Sequence, residues 1–312
     1  MGLTIHENAL IALASAASWG GGDFAGGMGA KASGGRVAGA IRFVILSHLI
    51  SLVVLVGILV EQHAGMPHGI AILWATLGGV TGALGLVAFY IALSRGGMGV
   101  SAAVSGLLAA AIPALVSSIT EGAPGAMRLA GFLLAGGAIW LIAAGDSPEK
   151  DFLEKKDKAG STMGLSIFAG VAFGIYFVVL KLSNPLGLVM PMTIARVSSV
   201  VLCSLTLAVM ALSGRGETVQ PASQNLDMGH PHLRRWTAGW GWACWVALLD
   251  TGGNVLFLVA TRMGRLDVAS VLASLYPAGT ILLAAWYLHE RPTRRQSLGM
   301  AAALAAVAMI TL

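Results

Sequence analysis

The stretch VASVLASLYPAGTILLAAWYLHERPTRRQSLG, residues 268–299, decides the fold. The apolar run that carries it, 267–289, exceeds the ~20 residues a helix needs to cross a bilayer core. Pro277 sits inside the run, Glu290 ends it, and Arg291, Arg294 and Arg295 follow. Nothing in it alternates apolar and polar residues as a barrel strand does, so it is read as a helix.

Outward from this run, the same ruler finds further apolar stretches at 8–30, 36–60, 70–94, 98–120, 126–145, 161–182, 189–213, 239–262 and 295–312. The expected fold is an all-α integral membrane protein of ten transmembrane helices. Composition agrees. Of 312 residues, 56% are hydrophobic and only 11% charged, with mean hydropathy +0.81. Soluble domains are about a quarter charged, so a soluble enzyme is excluded, and disordered chains are more polar still. The net charge of +5 does not point to nucleic acid, because the basic residues stand singly at the ends of apolar runs. Cys203 and Cys244 lie in or beside such runs and make no disulfide framework. The first stretch is not read as a cleaved signal peptide, since MGLTIHEN lacks Lys and Arg.

An internal repeat organises the runs. Trp19-Gly20 and Arg42 reappear 154 residues on as Phe173-Gly174 and Arg196. Gly85, Phe89, Ala92, Gly96 and Val100 match Gly253, Phe257, Ala260, Gly264 and Val268 at an offset of 168. Ser101, Ser105, Ile112 and Glu121 match Ser270, Ser274, Ile281 and Glu290 at 169. The reading is five spans plus five: 1–145, a charged linker at 146–160 (DSPEKDFLEKKDKAG), and 161–312. An odd number of spans per repeat inverts one half relative to the other, a design of secondary transporters with the substrate site near the midplane.

At ASWGGGDFAGG (17–27), AIRF (40–43) and above all 268–299, the sequence resembles the drug/metabolite transporter superfamily, specifically its ten-span EamA-type members. The resemblance implies two inverted five-helix repeats around a central cavity, and movement of small metabolites, often amino acids or related compounds, by alternating access. Pro113 departs from the repeat: it sits five residues deeper than Leu108, the partner of Pro277. The family places both termini in the cytoplasm, whereas the distribution of Lys and Arg favours both termini outside. An even number of spans keeps both ends on one side.

Ionisable groups within a bilayer are costly and mark pathways or partners. Asp23, in GGGDFAGG, reads either as a proton-coupling or amine site or as a structural partner of Arg42 or Lys31. Asp250 and Asn254 share a helix face where the other half has Gly82 and Leu86, which suggests substrate selection. Arg42 and Arg196 are read as structural, snorkelling or pairing with helix ends. Glu121 and Glu290 are likewise structural, held by the basic residues that follow, Arg128 in the first case. Ser101 and Ser105, with Ser270 and Ser274, either pack helices together or line the cavity. Tyr276-Pro277 frees a backbone carbonyl that must be satisfied inside the membrane. Trp19 and Tyr176 are candidate cavity walls, and Trp236, Trp240, Trp242 and Trp245 an interfacial belt. No His/Cys cluster has metal-ligand spacing, and no P-loop is present, so neither metal nor cofactor is expected.

The leading expectation is a secondary transporter of a small, amino-acid-like metabolite, with membrane lipids around it, protons as coupling ion through Asp23 or Asp250, and a bacterial-type inner membrane as its place. The alternative is a membrane-embedded enzyme or lipid-handling protein acting on a lipid or isoprenoid substrate, which would need clustered acid/base groups or metal ligands.

Overall fold

A computed structural model describes residues 2–32, 36–94, 98–143, 156–213, 231–287 and 293–311. Among the described residues there is helix and no strand. The helices are α1 (Gly2–Ala32), α2 (Val37–Glu61), α3 (Ala71–Ser94), α4 (Met98–Thr120), α5 (Ala126–Ala143), α6 (Lys156–Leu182), α7 (Val189–Leu212), α8 (Pro231–Met263), α9 (Leu266–Ala273), α10 (Tyr276–Tyr287) and α11 (Arg294–Thr311). A short 3-10 turn, Asn184–Leu186, joins α6 to α7.

Over the described residues each apolar stretch is built of helix, because a backbone without water must satisfy its own hydrogen bonds. Among the described residues, seven helical segments are long and apolar enough to cross a membrane by length and composition; Ala126–Leu141 is apolar but shorter. The chain is an integral, multi-pass membrane protein. Its outer faces agree: Val53, Leu115, Leu133, Trp140, Val209 and Trp286 are each more than 60% exposed, as water would not permit on this scale. Residues 146–155 of the expected linker lie outside the described residues, whereas 156–160 already form the start of α6.

Helices from the two halves interleave. α1 runs along α8 and α3 along α6; α2 packs on α7, and α5 on α11. α4 lies against α6, and α9 and α10 lie against α1. Exchanging the halves maps each of these pairings onto another in the set or onto itself. Glycine makes the closest approaches possible. A Cβ on Gly253 would meet the Trp19 ring at 2.6 Å, and one on Gly85 would meet Phe173 at 2.7 Å. These four residues are two repeat-related pairs.

The run that decided the fold is not one helix. It breaks at Ser274–Leu275 into α9 and α10. Pro277 has no N–H to continue the ladder, and α10 begins with it in its first turn. Ser274 closes α9 by donating its N–H to Ser270 O at 2.9 Å. Thr280 Oγ1 donates to Gly20 O at 3.1 Å, tying α10 to α1. Pro113, by contrast, lies within a continuous α4.

At one end of the bundle, Glu121 binds Lys181 rather than Arg128. The same carboxylate accepts from Ser117 Oγ at 3.1 Å and from the Leu266 N–H, at the start of α9, at 3.4 Å. Arg265 donates to the carbonyls of Glu121 and Gly122 at 3.1 and 2.7 Å and to Asp267 at 2.8 Å. Glu290 and Arg291 lie outside the described residues.

Candidate functional site

A cavity opens in the middle of the bundle, and its walls come from both halves. Trp19 and Asp23 reach it from α1, His48 from α2, Gly78, Gly82 and Leu86 from α3. Phe173, Tyr176 and Phe177 come from α6, Arg196 and Ser199 from α7, Asp250 and Asn254 from α8, and Tyr276 from the start of α10. Positions matched in the repeat arrive in pairs: Trp19 with Phe173, Asp23 with Phe177, Gly82 with Asp250, Leu86 with Asn254. The space open to the centre of a water-sized sphere is about 50 Å³. One water needs roughly 10–15 Å³ on that measure, so the cavity suits a small polar group or solute.

One side of it is aromatic. Trp19 stacks on Phe177 with centroids 4.9 Å apart and planes 7° from parallel. Phe257 backs both rings at 5.5 and 4.6 Å. In the other half Phe89, the repeat partner of Phe257, meets Phe173 at 5.6 Å. Tyr176 lies over Gly78 and Gly82, whose hypothetical Cβ atoms would reach its ring at 3.6 and 3.4 Å.

The other side is a chain of buried polar groups. Arg196 forms an ion pair with Asp250 and donates through Nη2 to Thr251 Oγ1 at 3.2 Å. Its Nη1 donates to His48 Nε2 at 2.9 Å. A guanidinium can only donate, so Nε2 is the accepting nitrogen. The imidazole is therefore neutral and carries its proton on Nδ1, which donates to Ser199 Oγ at 2.6 Å. Asn254 Nδ2 donates to Asp250 Oδ2 at 3.2 Å, which orients its amide and leaves Oδ1 as an acceptor. Among the described residues, Asn254 Oδ1 and Arg196 Nε have no hydrogen-bond partner, although both residues are buried. Asp23 is also buried, at 9% exposure, and makes no ion pair with a described residue.

The geometry thus gathers six of the eleven sequence candidates at the cavity: Trp19, Asp23, Tyr176, Asp250, Asn254 and Tyr276. Five are placed elsewhere. Ser101, Ser105, Ser270 and Ser274 are buried between helices and do not line it. Pro277 packs near Gly106 of α4. The hydroxyl of Tyr276 is not offered to the cavity: Ser105 Oγ donates to Ala102 O at 3.0 Å, so Tyr276 donates to Ser105, at 2.8 Å. The two arginines part company. Arg42 is exposed, while Arg196 is 5% exposed and faces the cavity, which corrects its reading as a snorkelling residue. No ion pair joins Asp23 to Arg42 or Lys31. His48 and Ser199 escaped the sequence reading. A histidine in the middle of an otherwise apolar span is the signal that could have found the first. In the expected aromatic belt, Trp240 and Trp245 are about half exposed, Trp242 packs against Phe24 and Tyr287, and the Trp236 side chain lies outside the described set.

Residues 160–312 match the model of the EamA-like transporter family. No curated protein matches the chain. A solved structure titled only as the crystal structure of a protein is similar at a TM-score of 0.65 and 15% identity, covering 98% of this chain and 98% of its own. At that identity the likeness is one of fold.

Proposed function

Since its family match places this protein in the drug/metabolite transporter superfamily, whose EamA members are membrane transporters, we propose that it is a secondary carrier exporting a small, amino-acid-like metabolite by alternating access. The observation that carries the reading is the central cavity, where buried Asp23, Arg196 and His48 and part-buried Asp250 face one space between the halves. Charges so placed are expensive unless they serve a substrate or an ion. In this reading all ten apolar stretches cross the membrane, α9 and α10 together forming one crossing. The two five-helix halves are inverted repeats, supported by the reciprocal packing and by the paired cavity positions. The protein sits in a bacterial-type inner membrane, surrounded by lipid.

Protons are the proposed coupling ion. Asp250 is neutralised by Arg196, so Asp23 is the better-placed carrier of an exchangeable proton. The test is transport in liposomes containing the purified protein, with a metabolite library scored first by ligand-induced stabilisation. A stabilising solute should be accumulated under a pH gradient by the wild type. Asp23→Asn should lose gradient-driven accumulation of that solute. Unchanged pH dependence in both Asp23→Asn and Asp250→Asn would sink the coupling assignment. Recovery of a chemically altered solute would sink the carrier reading in favour of a membrane enzyme.

A further inference from the structure

The geometry points to a more specific ligand: we infer that the cavity selects a singly charged primary ammonium bearing a neutral hydrogen-bond acceptor, as in an amino alcohol or an amino-acid amide, over the zwitterionic amino acid of the same shape. The inference rests on the transporter reading and narrows its substrate.

Charge balance is the first ground. The groups facing the cavity that carry formal charge are Asp23, Asp250 and Arg196. His48 is neutral, because its Nε2 accepts from Arg196. Arg196 and Asp250 cancel each other as an ion pair. Asp23 remains, with no described cation beside it; Lys31 and Arg42 are exposed and outside the lining. Once it has given up its proton, the Asp23 carboxylate has no compensating charge there and calls for one positive charge.

Unused hydrogen-bonding capacity is the second and independent ground. Asn254, 2% exposed, has its Oδ1 unpartnered among the described residues, and that atom accepts only. Arg196, 5% exposed, has its Nε–H unpartnered, and that atom donates only. A primary ammonium supplies N–H donors to Asp23 and to Asn254 Oδ1 together. A hydroxyl or carbonyl oxygen on the same molecule accepts from Arg196 Nε. A carboxylate at that place would bring a third negative charge into a space that Asp23 and Asp250 already share, against a guanidinium that Asp250 has already engaged. Burying a charge without a partner of its own is costly.

The experiment uses the full-length protein in detergent and four probes: leucinol, leucinamide, leucine and the uncharged 4-methylpentanamide. Thermal stabilisation is titrated with each. Leucinol and leucinamide should bind roughly tenfold more tightly than leucine, and 4-methylpentanamide should bind no better than leucine. Asp23→Asn should erase the preference for the cations. The ranking in the wild type stands alone if that variant does not fold. Leucine binding as tightly as its amide, or the uncharged amide matching leucinamide, overturns the inference. So does absence of binding by all four. Exchange of any library solute by the same preparation in liposomes decides the transporter reading separately, so a carrier that prefers leucine would refute the cation assignment alone.

Discussion

His48 holds Arg196: the imidazole Nε2 accepts from Nη1 at 2.9 Å, while its Nδ1–H is anchored on Ser199 Oγ at 2.6 Å. The guanidinium is thereby fixed from α2 as well as from α8, where Asp250 takes the opposite end. His48→Ala should remove one charge-assisted hydrogen bond and lower stability by about 2 kcal/mol. It should also weaken ligand binding by letting Arg196 turn. Chemical or thermal unfolding in detergent, with ligand titration alongside, checks both. Unchanged binding in a folded His48→Ala protein would show that Asp250 and Thr251 of α8 suffice to position the guanidinium.

Asp250→Asn leaves Arg196 charged, buried and without a counter-ion. Removal of one partner from a buried pair costs about 3–5 kcal/mol, and the lower end applies here because Asp250 keeps 14% exposure. The double variant Arg196→Gln/Asp250→Asn should be more stable than Asp250→Asn alone. A double variant equal to the sum of the single losses would mean that the pair does not couple.

Gly253→Ala and Gly85→Ala offer a paired test of the two-fold arrangement. Each added methyl would strike an aromatic ring of the other half, Trp19 at 2.6 Å and Phe173 at 2.7 Å. Overpacking of this kind costs about 1–3 kcal/mol. Both variants should lose stability by similar amounts, and both should lower binding because each ring they displace lines the cavity. A neutral result at one position and a severe loss at the other would show that the halves pack differently there.

Tyr276→Phe keeps the ring that walls the cavity and removes only the donor to Ser105. A loss of about 1 kcal/mol in stability with ligand affinity unchanged is expected. Affinity lost by tenfold or more would show that the hydroxyl reaches the ligand in another state of the protein.

Glu121→Gln and Lys181→Met should separate two roles of one carboxylate. The ion pair is about a quarter exposed on both sides, so its own worth is at most about 1 kcal/mol and should fall with added salt. Glu121→Ala should cost more than Lys181→Met, since it also strips the Leu266 N–H of its acceptor at the start of α9. Equal losses in salt titrations of unfolding would leave the cap with no measurable role.

The helices were legible because the bilayer imposes one length on every apolar run. The candidate repeat was drawn from Arg, Glu and Gly at offsets of 154, 168 and 169, and comparing its halves singled out Asp250 and Asn254. His48 stands opposite Leu202 in the repeat, so comparison of the halves passed over it. Arg196 lies only seven residues into α7, roughly 10 Å of helix rise, and in sequence that depth resembles a residue at the headgroups. The serines show another boundary. Spacing told that Ser101 and Ser105 share a face, but not that the neighbour on that face is a tyrosine hydroxyl rather than open space.

The interruption at Ser274–Leu275 bears on how the protein is made. An eight-residue and a twelve-residue helix are each too short to span lipid, and Pro277 offers no N–H to the carbonyl one turn before it, a loss that hydrocarbon cannot make good. Gly20 of α1 and Gly106 of α4 lie against this link. The pair α9–α10 therefore depends on its neighbours for its place in the bilayer, and the small-residue faces of α1 and α4, which precede it in the chain, are what receive it.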